Sequence, residues 1–207
     1  MFVTIEGIDG SGKTSVLAQL AESLRDRFSP LCVTREPGDS SLGAEIRKLV
    51  LAQGKSVDAR AELFLFLADR AQHVATVIRP ALQEGALVLC DRYADSTRAY
   101  QSGFLDPKII ETLNDVATSG LEPELTILLD LDVEIALSRV AQRKAACNEE
   151  TRFDAYAASY HQSVRERYLE LMERNPMRIV KVDAAAPLDT VVENAFEVIL
   201  GRHKGKL

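Results

Sequence analysis

Between an apolar run at Phe2 to Glu6 and a helical pattern at Lys13 to Phe28 lies Gly7-Ile8-Asp9-Gly10-Ser11-Gly12-Lys13-Thr14, a match to G-x4-G-K-[ST]. No other stretch restricts the fold as strongly. A strand must deliver the chain to a tight glycine turn, and a helix must start at its far end. Successive N–H groups in such a loop point inward, and the helix adds its positive N-terminal end, so the loop is built for phosphate. Roughly 1% of random chains of about 200 residues would carry the pattern, and fewer would place it between a strand and a helix. Gly7, Gly10, Ser11, Gly12, Lys13, Thr14 and Ser15 are therefore the candidate ligands of a nucleoside triphosphate. Lys13 brings charge to its β and γ phosphates, and the Thr14 hydroxyl is a Mg2+ ligand candidate.

The rest of the chain fits an α/β fold. Short apolar runs at Phe2 to Glu6, Leu31 to Thr34, Ala86 to Asp91, Leu125 to Asp130 and Arg178 to Val182 alternate with helical patterns, as in parallel strands joined by crossover helices. The helices are expected at about Lys13 to Phe28, Leu42 to Ala52, Ala59 to Glu84, Ser96 to Gln101, Pro107 to Ser119, Val133 to Lys144, Phe153 to Arg174 and Leu188 to Gly201. Leu87 to Cys90 and Thr126 to Leu129 are apolar without alternation, so both are expected inside the sheet. The polar segment from Arg143 to Arg152 separates two helical patterns and reads as a mobile surface segment. The 207 residues, with no Gly/Ser linker or repeat, predict a single domain over 1–207 with a lid at about 143–152.

Three further places carry candidate chemistry. Asp91-Arg92-Tyr93 follows the third apolar run, where ligands bind in open α/β sheets. Asp91 is a metal candidate and Arg92 a phosphate ligand; the bland alternative is a buried ion pair between them. Asp9 would repel phosphates unless it meets a metal or a hydroxyl of a second ligand, or merely caps its turn. Thr34-Arg35-Glu36-Pro37-Gly38 ends the second run in the same way, with Pro and Gly fixing a tight loop at the crevice and a surface cation as the bland alternative for Arg35. Phe66, Asp69, Arg70 and His73 share a helix face, a pattern that packing alone also produces. Arg139, Arg143, Lys144 and Arg152 either close over a triphosphate or are solvated helix ends. His73, His161 and His203 have no metal or triad spacing and read as structural or solvated.

Taken together, Glu6 to Thr14, Thr34 to Gly38, Phe66 to Arg70, Asp91 to Ser96 and Tyr100-Gln101 closely resemble the bacterial thymidylate kinases, in order and over the full chain. The resemblance implies a P-loop nucleoside monophosphate kinase fold: a five-stranded parallel sheet, flanking helices and an arginine-bearing lid. It implies Mg2+-dependent transfer of the γ-phosphoryl group of ATP to dTMP, giving dTDP and ADP for dTTP biosynthesis. Carried over by position, Phe66 would stack on thymine and Arg70 would bond its carbonyl edge. Ser96, Thr97 and Gln101 would line the base and phosphate site, Arg92 would hold the acceptor phosphate, and Tyr100 would pack near the sugar C2. Asp9 would meet the sugar 3′ side or the magnesium shell, with Glu36, Pro37 and Arg47 lining the acceptor pocket. Asp91 and Thr14 would serve the metal, and Arg139, Arg143 and Arg152 the ATP. Other members carry an arginine where this chain has Ser11; with Arg143 in the lid, the chain resembles the arrangement in which the lid supplies the transition-state cation. It departs from the family at Gly38-Asp39-Ser40, at Ser102-Gly103-Phe104-Leu105 and at Thr151.

The resemblance further implies a homodimer. A net charge of −6 argues against coating nucleic acid or an anionic membrane. Met1 to Glu6 shows no secretory pattern, no apolar run reaches the ~18 residues of a membrane span, and Cys32, Cys90 and Cys147 form no disulfide framework, so a cytoplasmic protein is expected. A deoxynucleoside kinase is the nearest rival. A nucleotide-binding regulator without turnover is a second, which intact Lys13, Asp91 and Arg92 count against.

Overall fold

The structure, a computed structural model, describes residues 1–52, 57–147, 153 and 156–205. Among these, β1 (Phe2–Glu6), β2 (Leu31–Arg35), β3 (Leu87–Asp91), β4 (Leu125–Asp130) and β5 (Ile179–Asp183) form one sheet in the order β2-β3-β1-β4-β5, every pair parallel. Around it run α1 (Lys13–Leu24), α2 (Ser41–Leu51), α3 (Ala59–His73), α4 (Arg79–Gln83), α5 (Ala94–Tyr100), α6 (Pro107–Thr118), α7 (Val133–Cys147), α8 (Ala158–Arg174) and α9 (Leu188–His203). β3 and β4 flank β1, so the two unalternating runs are interior strands, as read from their composition.

The sheet is covered on both faces, which is why its strands need no polar side. On one face Val3 and Ile5 pack with Leu87, Leu89 and Ile127 against Val16, Leu20 and Leu24 of α1 and Ala195 and Ile199 of α9. On the other, Phe2, Val88 and Cys90 pack with Val74, Ile78 and Tyr93. Each such Val, Leu, Ile or Phe side chain contributes about 1.5–3 kcal/mol by leaving water. The alternation along β1 puts Thr4 and Glu6 on the Phe2 face, where both are fully buried. The chain leaves β1 toward β2 and β3 and later crosses to β4 and β5, so the sheet order reverses around β1. The crevice of an open α/β sheet forms at such a reversal, at the carboxyl ends of the strands.

Several boundaries differ from the sequence reading. α1 stops at Leu24, four residues before Phe28. The long third helix is interrupted by a π turn at Val74–Ile78. It sits just before Pro80, whose ring would clash with the Thr76 carbonyl in an unbroken α-helix. α8 starts at Ala158 rather than Phe153. α7 continues to Cys147, three residues past the expected Lys144, so the polar segment from Arg143 begins as helix and not as a surface loop. The remainder of that polar segment, including Arg152, lies outside the described residues.

Candidate active site

The loop after β1 is shaped by backbone that side chains would forbid. Gly7, Gly10 and Gly12 have φ of 146°, 84° and 90°. A Cβ on Gly10 would lie 2.3 Å from the Ala136 carbonyl oxygen of α7, so this glycine lets loop and helix touch. Gly12 caps α1 without a side-chain hydrogen bond, and the first turn holds no acidic residue. The helix start is thus left to an anion. Lys13 is buried, its Nζ donating to the carbonyls of Gly7 (3.1 Å) and Ile8 (2.9 Å). Burial lowers its pKa to about 8; the Arg92 charge adds to this, while Asp9, Asp91 and Glu6 oppose it.

β3 brings Asp91 and Arg92 to the same place, because its register puts Asp91 beside Ile5 and Arg35. The Thr14 hydroxyl donates to Asp91 Oδ2 at 3.1 Å, while Asp91 Oδ1 is buried with no hydrogen-bond partner. An orphaned carboxylate oxygen beside a hydroxyl, at the mouth of a phosphate loop, suits a hydrated Mg2+. Arg92 does not pair with Asp91, so the buried Asp-Arg pair is not found. Its Nη2 instead meets Asp9 Oδ1 at 2.7 Å, and its Nη1 donates to Gly7 O and Ser96 Oγ. Burial pushes Asp9 up, but the charges of Arg92 and Lys13 outweigh it and hold the carboxyl below its ordinary value. Tyr100 stands against the same pair, its ring 5.1 Å from the Arg92 guanidinium and its hydroxyl 3.3 Å from Asp9 Oδ2.

At the far end the cleft is walled by Phe66, Arg70, Thr97 and Gln101. Arg70 is 2% exposed and already committed: Nε to Glu36 Oε2 (2.8 Å), Nη1 to Thr97 and Asn114, Nη2 to the Tyr93 carbonyl. Four of its five N–H groups are used, which fixes the direction of the fifth. Glu36 also meets His73 Nδ1 at 3.0 Å, and His73 Nε2 meets Thr34. His73 is structural, as read. Asp69 accepts from Gly38 N–H and ties the Pro37-Gly38 turn to α3. Burial, with Glu36 adding, brings the Asp69 carboxyl up to about 6. Arg47 reaches back to the Pro37 carbonyl at 2.7 Å. Arg35 is half-exposed and paired with Asp39, yet also faces the cleft.

One cleft of about 700 Å3, within the range of small-ligand sites, gathers Asp9, Gly10, Gly12, Lys13, Thr14, Ser15, Glu36, Pro37, Arg47, Phe66, Arg70, Asp91, Arg92, Ser96, Thr97, Tyr100, Gln101, Arg139 and Arg143. Gly7 and Ser11 lie behind this wall. Leu51, Val140 and Phe153 join it without having been named as site residues. Behind it stand Asn114, which orients Arg70, Glu62, which accepts from Gln101 at 2.8 Å, and Glu6. Only Glu6 gave a local signal, as a carboxylate ending an otherwise uncharged strand.

The thymidylate kinase family model matches residues 5–195. The chain belongs to the thymidylate kinase family. Thymidylate kinase of Solidesulfovibrio magneticus is 47% identical over 96% of this chain and 98% of its own, and that of Oleidesulfovibrio alaskensis is 48% identical over 96% and 97%. The crystal structure of thymidylate kinase from Ehrlichia chaffeensis superposes with a TM-score of 0.77 at 30% identity, covering 96% of this chain and 98% of that one. The parallel sheet order and the loop at its centre are those of a P-loop nucleoside monophosphate kinase. Family membership makes this chain an enzyme of that class, and phosphorylation of dTMP is the activity it carries.

Proposed function

We propose that the cleft binds ATP at the Gly7–Thr14 loop and dTMP at the Phe66–Gln101 end, and that the γ-phosphoryl group passes in line to an oxygen of the dTMP phosphate. The observation that carries this reading is the position of Arg92. Its guanidinium stands between the loop, through Gly7 and Asp9, and the base pocket, through Ser96 and Tyr100. A cation placed there fits an acceptor phosphate set beside the triphosphate. That phosphate is already anionic and needs no strong base, so the residues position and neutralise charge rather than move a proton. Phe66 offers a face for thymine, the remaining N–H of Arg70 its carbonyl edge, and Tyr100 occupies the space a ribose hydroxyl would need. Thr14 and Asp91 would hold Mg2+, which when bound neutralises charge on the β and γ phosphates. Arg139 and Arg143, one turn apart on α7, face the donor side; Arg143 begins the lid over 143–152 of a single kinase domain.

Leu42 and Leu49 of α2, Phe64 of α3, and Ile109 and Val116 of α6 are 46–73% exposed on three helices packed side by side. Exposed apolar side chains on adjoining helices suit an isologous contact, which supports the homodimer. No helix among the described residues is long and apolar enough to cross a membrane, in keeping with a cytoplasmic enzyme. Calorimetry on Arg92→Ala tests the site: dTMP affinity should fall about 10- to 100-fold with ATP affinity held, as for a lost charge-assisted hydrogen bond. The reverse pattern would exchange the two subsites.

A further inference from the structure

Glu6 is a carboxylate that the mechanism above leaves unused. It ends β1 one residue before the phosphate loop and is fully buried. Burial of a carboxyl is costly unless its oxygens are satisfied. Here Oε1 accepts from the Tyr93 N–H at 2.7 Å, and Oε2 accepts from the hydroxyls of Ser96 at 2.6 Å and Tyr168 at 2.8 Å. Burial pushes the carboxyl up to about 7, with Asp95 adding and Arg92, Ser96 and Tyr168 opposing. A group this costly to the fold is a candidate for a task in the site.

Two of the three bonds, those to Tyr93 and Ser96, lead to Arg92. That residue has φ of 70°, in the left-handed region where a side chain with a Cβ is disfavoured. Its own N–H donates to the Ile5 carbonyl at 3.0 Å, and the next N–H, of Tyr93, goes to Glu6. Two neighbouring residues of β1 thus hold the N–H groups on both sides of the strained residue. Ser96 adds a second hold: having donated its proton to Glu6, its oxygen accepts from Arg92 Nη1 at 3.1 Å. Glu6 therefore reaches Arg92 twice through a neighbour: at the main chain through the N–H of Tyr93, and at the guanidinium through the Ser96 hydroxyl.

We propose that Glu6 is a positioning residue that locks Arg92 in its left-handed conformation and aims its guanidinium at the acceptor phosphate. The inference rests on the reading that Arg92 holds that phosphate. A carboxylate serving the fold alone would support all parts of the cleft alike, whereas one acting through Arg92 affects an acceptor that carries a phosphate. Titration calorimetry with dTMP and with thymidine, on wild type, Glu6→Gln, Arg92→Ala and the double variant, separates these. Glu6→Gln should weaken dTMP about tenfold, within the range of a charge-assisted hydrogen bond, and leave thymidine within about twofold. In the Arg92→Ala background the same change should have little further effect, since the residue it acts through is gone. Unchanged dTMP binding, equal loss for both ligands, or a full loss in the Arg92→Ala background would overturn the proposal. If Arg92→Ala itself fails to weaken dTMP, the assignment of Arg92 falls instead. Glu6→Asp, which keeps the charge but withdraws it by one methylene from Tyr93 and Ser96, is read by the same criteria should the Gln variant not fold.

Discussion

Lys13 and Glu6 are both charged groups that the fold holds in places unfavourable to charge, and pH exposes what each costs. With its pKa brought to about 8, Lys13 is close to half neutral at pH 8. A bound triphosphate restores the charge, so ATP binding at pH 8 should take up as much as about half a proton. Calorimetry in buffers of differing ionisation enthalpy measures it, and Lys13→Met should abolish the uptake while lowering kcat about 100- to 1,000-fold. Uptake that survives the substitution would place the titration elsewhere. For Glu6 the folded pKa of about 7 lies above its ordinary 4.5, so the unfolded chain ionises first. The stability held by the protonated form is present below about 4.5 and lost as pH rises toward 7, with a ceiling of roughly 3 kcal/mol at about 1.36 kcal/mol per pH unit. Urea unfolding should therefore show Glu6→Gln gaining on wild type between pH 5 and pH 8. A gap independent of pH would mean that the carboxyl is not buried as described.

The elements were legible wherever burial wrote a period into the sequence. The five strands, α1 and α9 announce themselves because one or both faces meet the core. The end of α7 did not, since residues 141–146 are exposed and show no apolar stripe; Ala, Gln, Lys and Arg hold it helical by propensity instead. The π turn before Pro80 shifts the helix register over a few residues, too short a span for periodicity to reveal. In the site, the loop and Asp91-Arg92 could be read because each is local, following a strand by one step. The supports could not: Tyr168 reaches Glu6 across 162 residues and Asn114 reaches Arg70 across 44. Nor does any residue pattern announce the left-handed Arg92. Arg139 is tethered to the Ala184 carbonyl at 3.1 Å, and Arg143 lies one turn on along the helix whose Ala136 backs Gly10. Arg143→Ala should slow turnover at least about 100-fold with nucleotide affinity little changed, in line with arginine fingers. If turnover holds while Arg152→Ala loses it, the finger lies beyond α7.

For the molecule as a whole, the adjoining helices α2, α3 and α6 leave large apolar side chains in water, with Phe64 58% and Val116 73% exposed. Sedimentation should give twice the chain mass, and Phe64→Glu or Val116→Glu should shift it to the monomer with helix content retained. A monomeric wild type would remove the dimer from the account. Across the cleft, the acceptor proposed for the γ-phosphoryl group is a phosphate and not a sugar hydroxyl, because Arg92, paired with Asp9, stands between the loop and the base pocket. Release of ADP measured with dTMP and with thymidine as acceptors, under one set of conditions, tests it most directly. The structure predicts ADP formed in step with dTDP from dTMP and no release above background from thymidine; phosphorylation of thymidine with dTMP inert would contradict it.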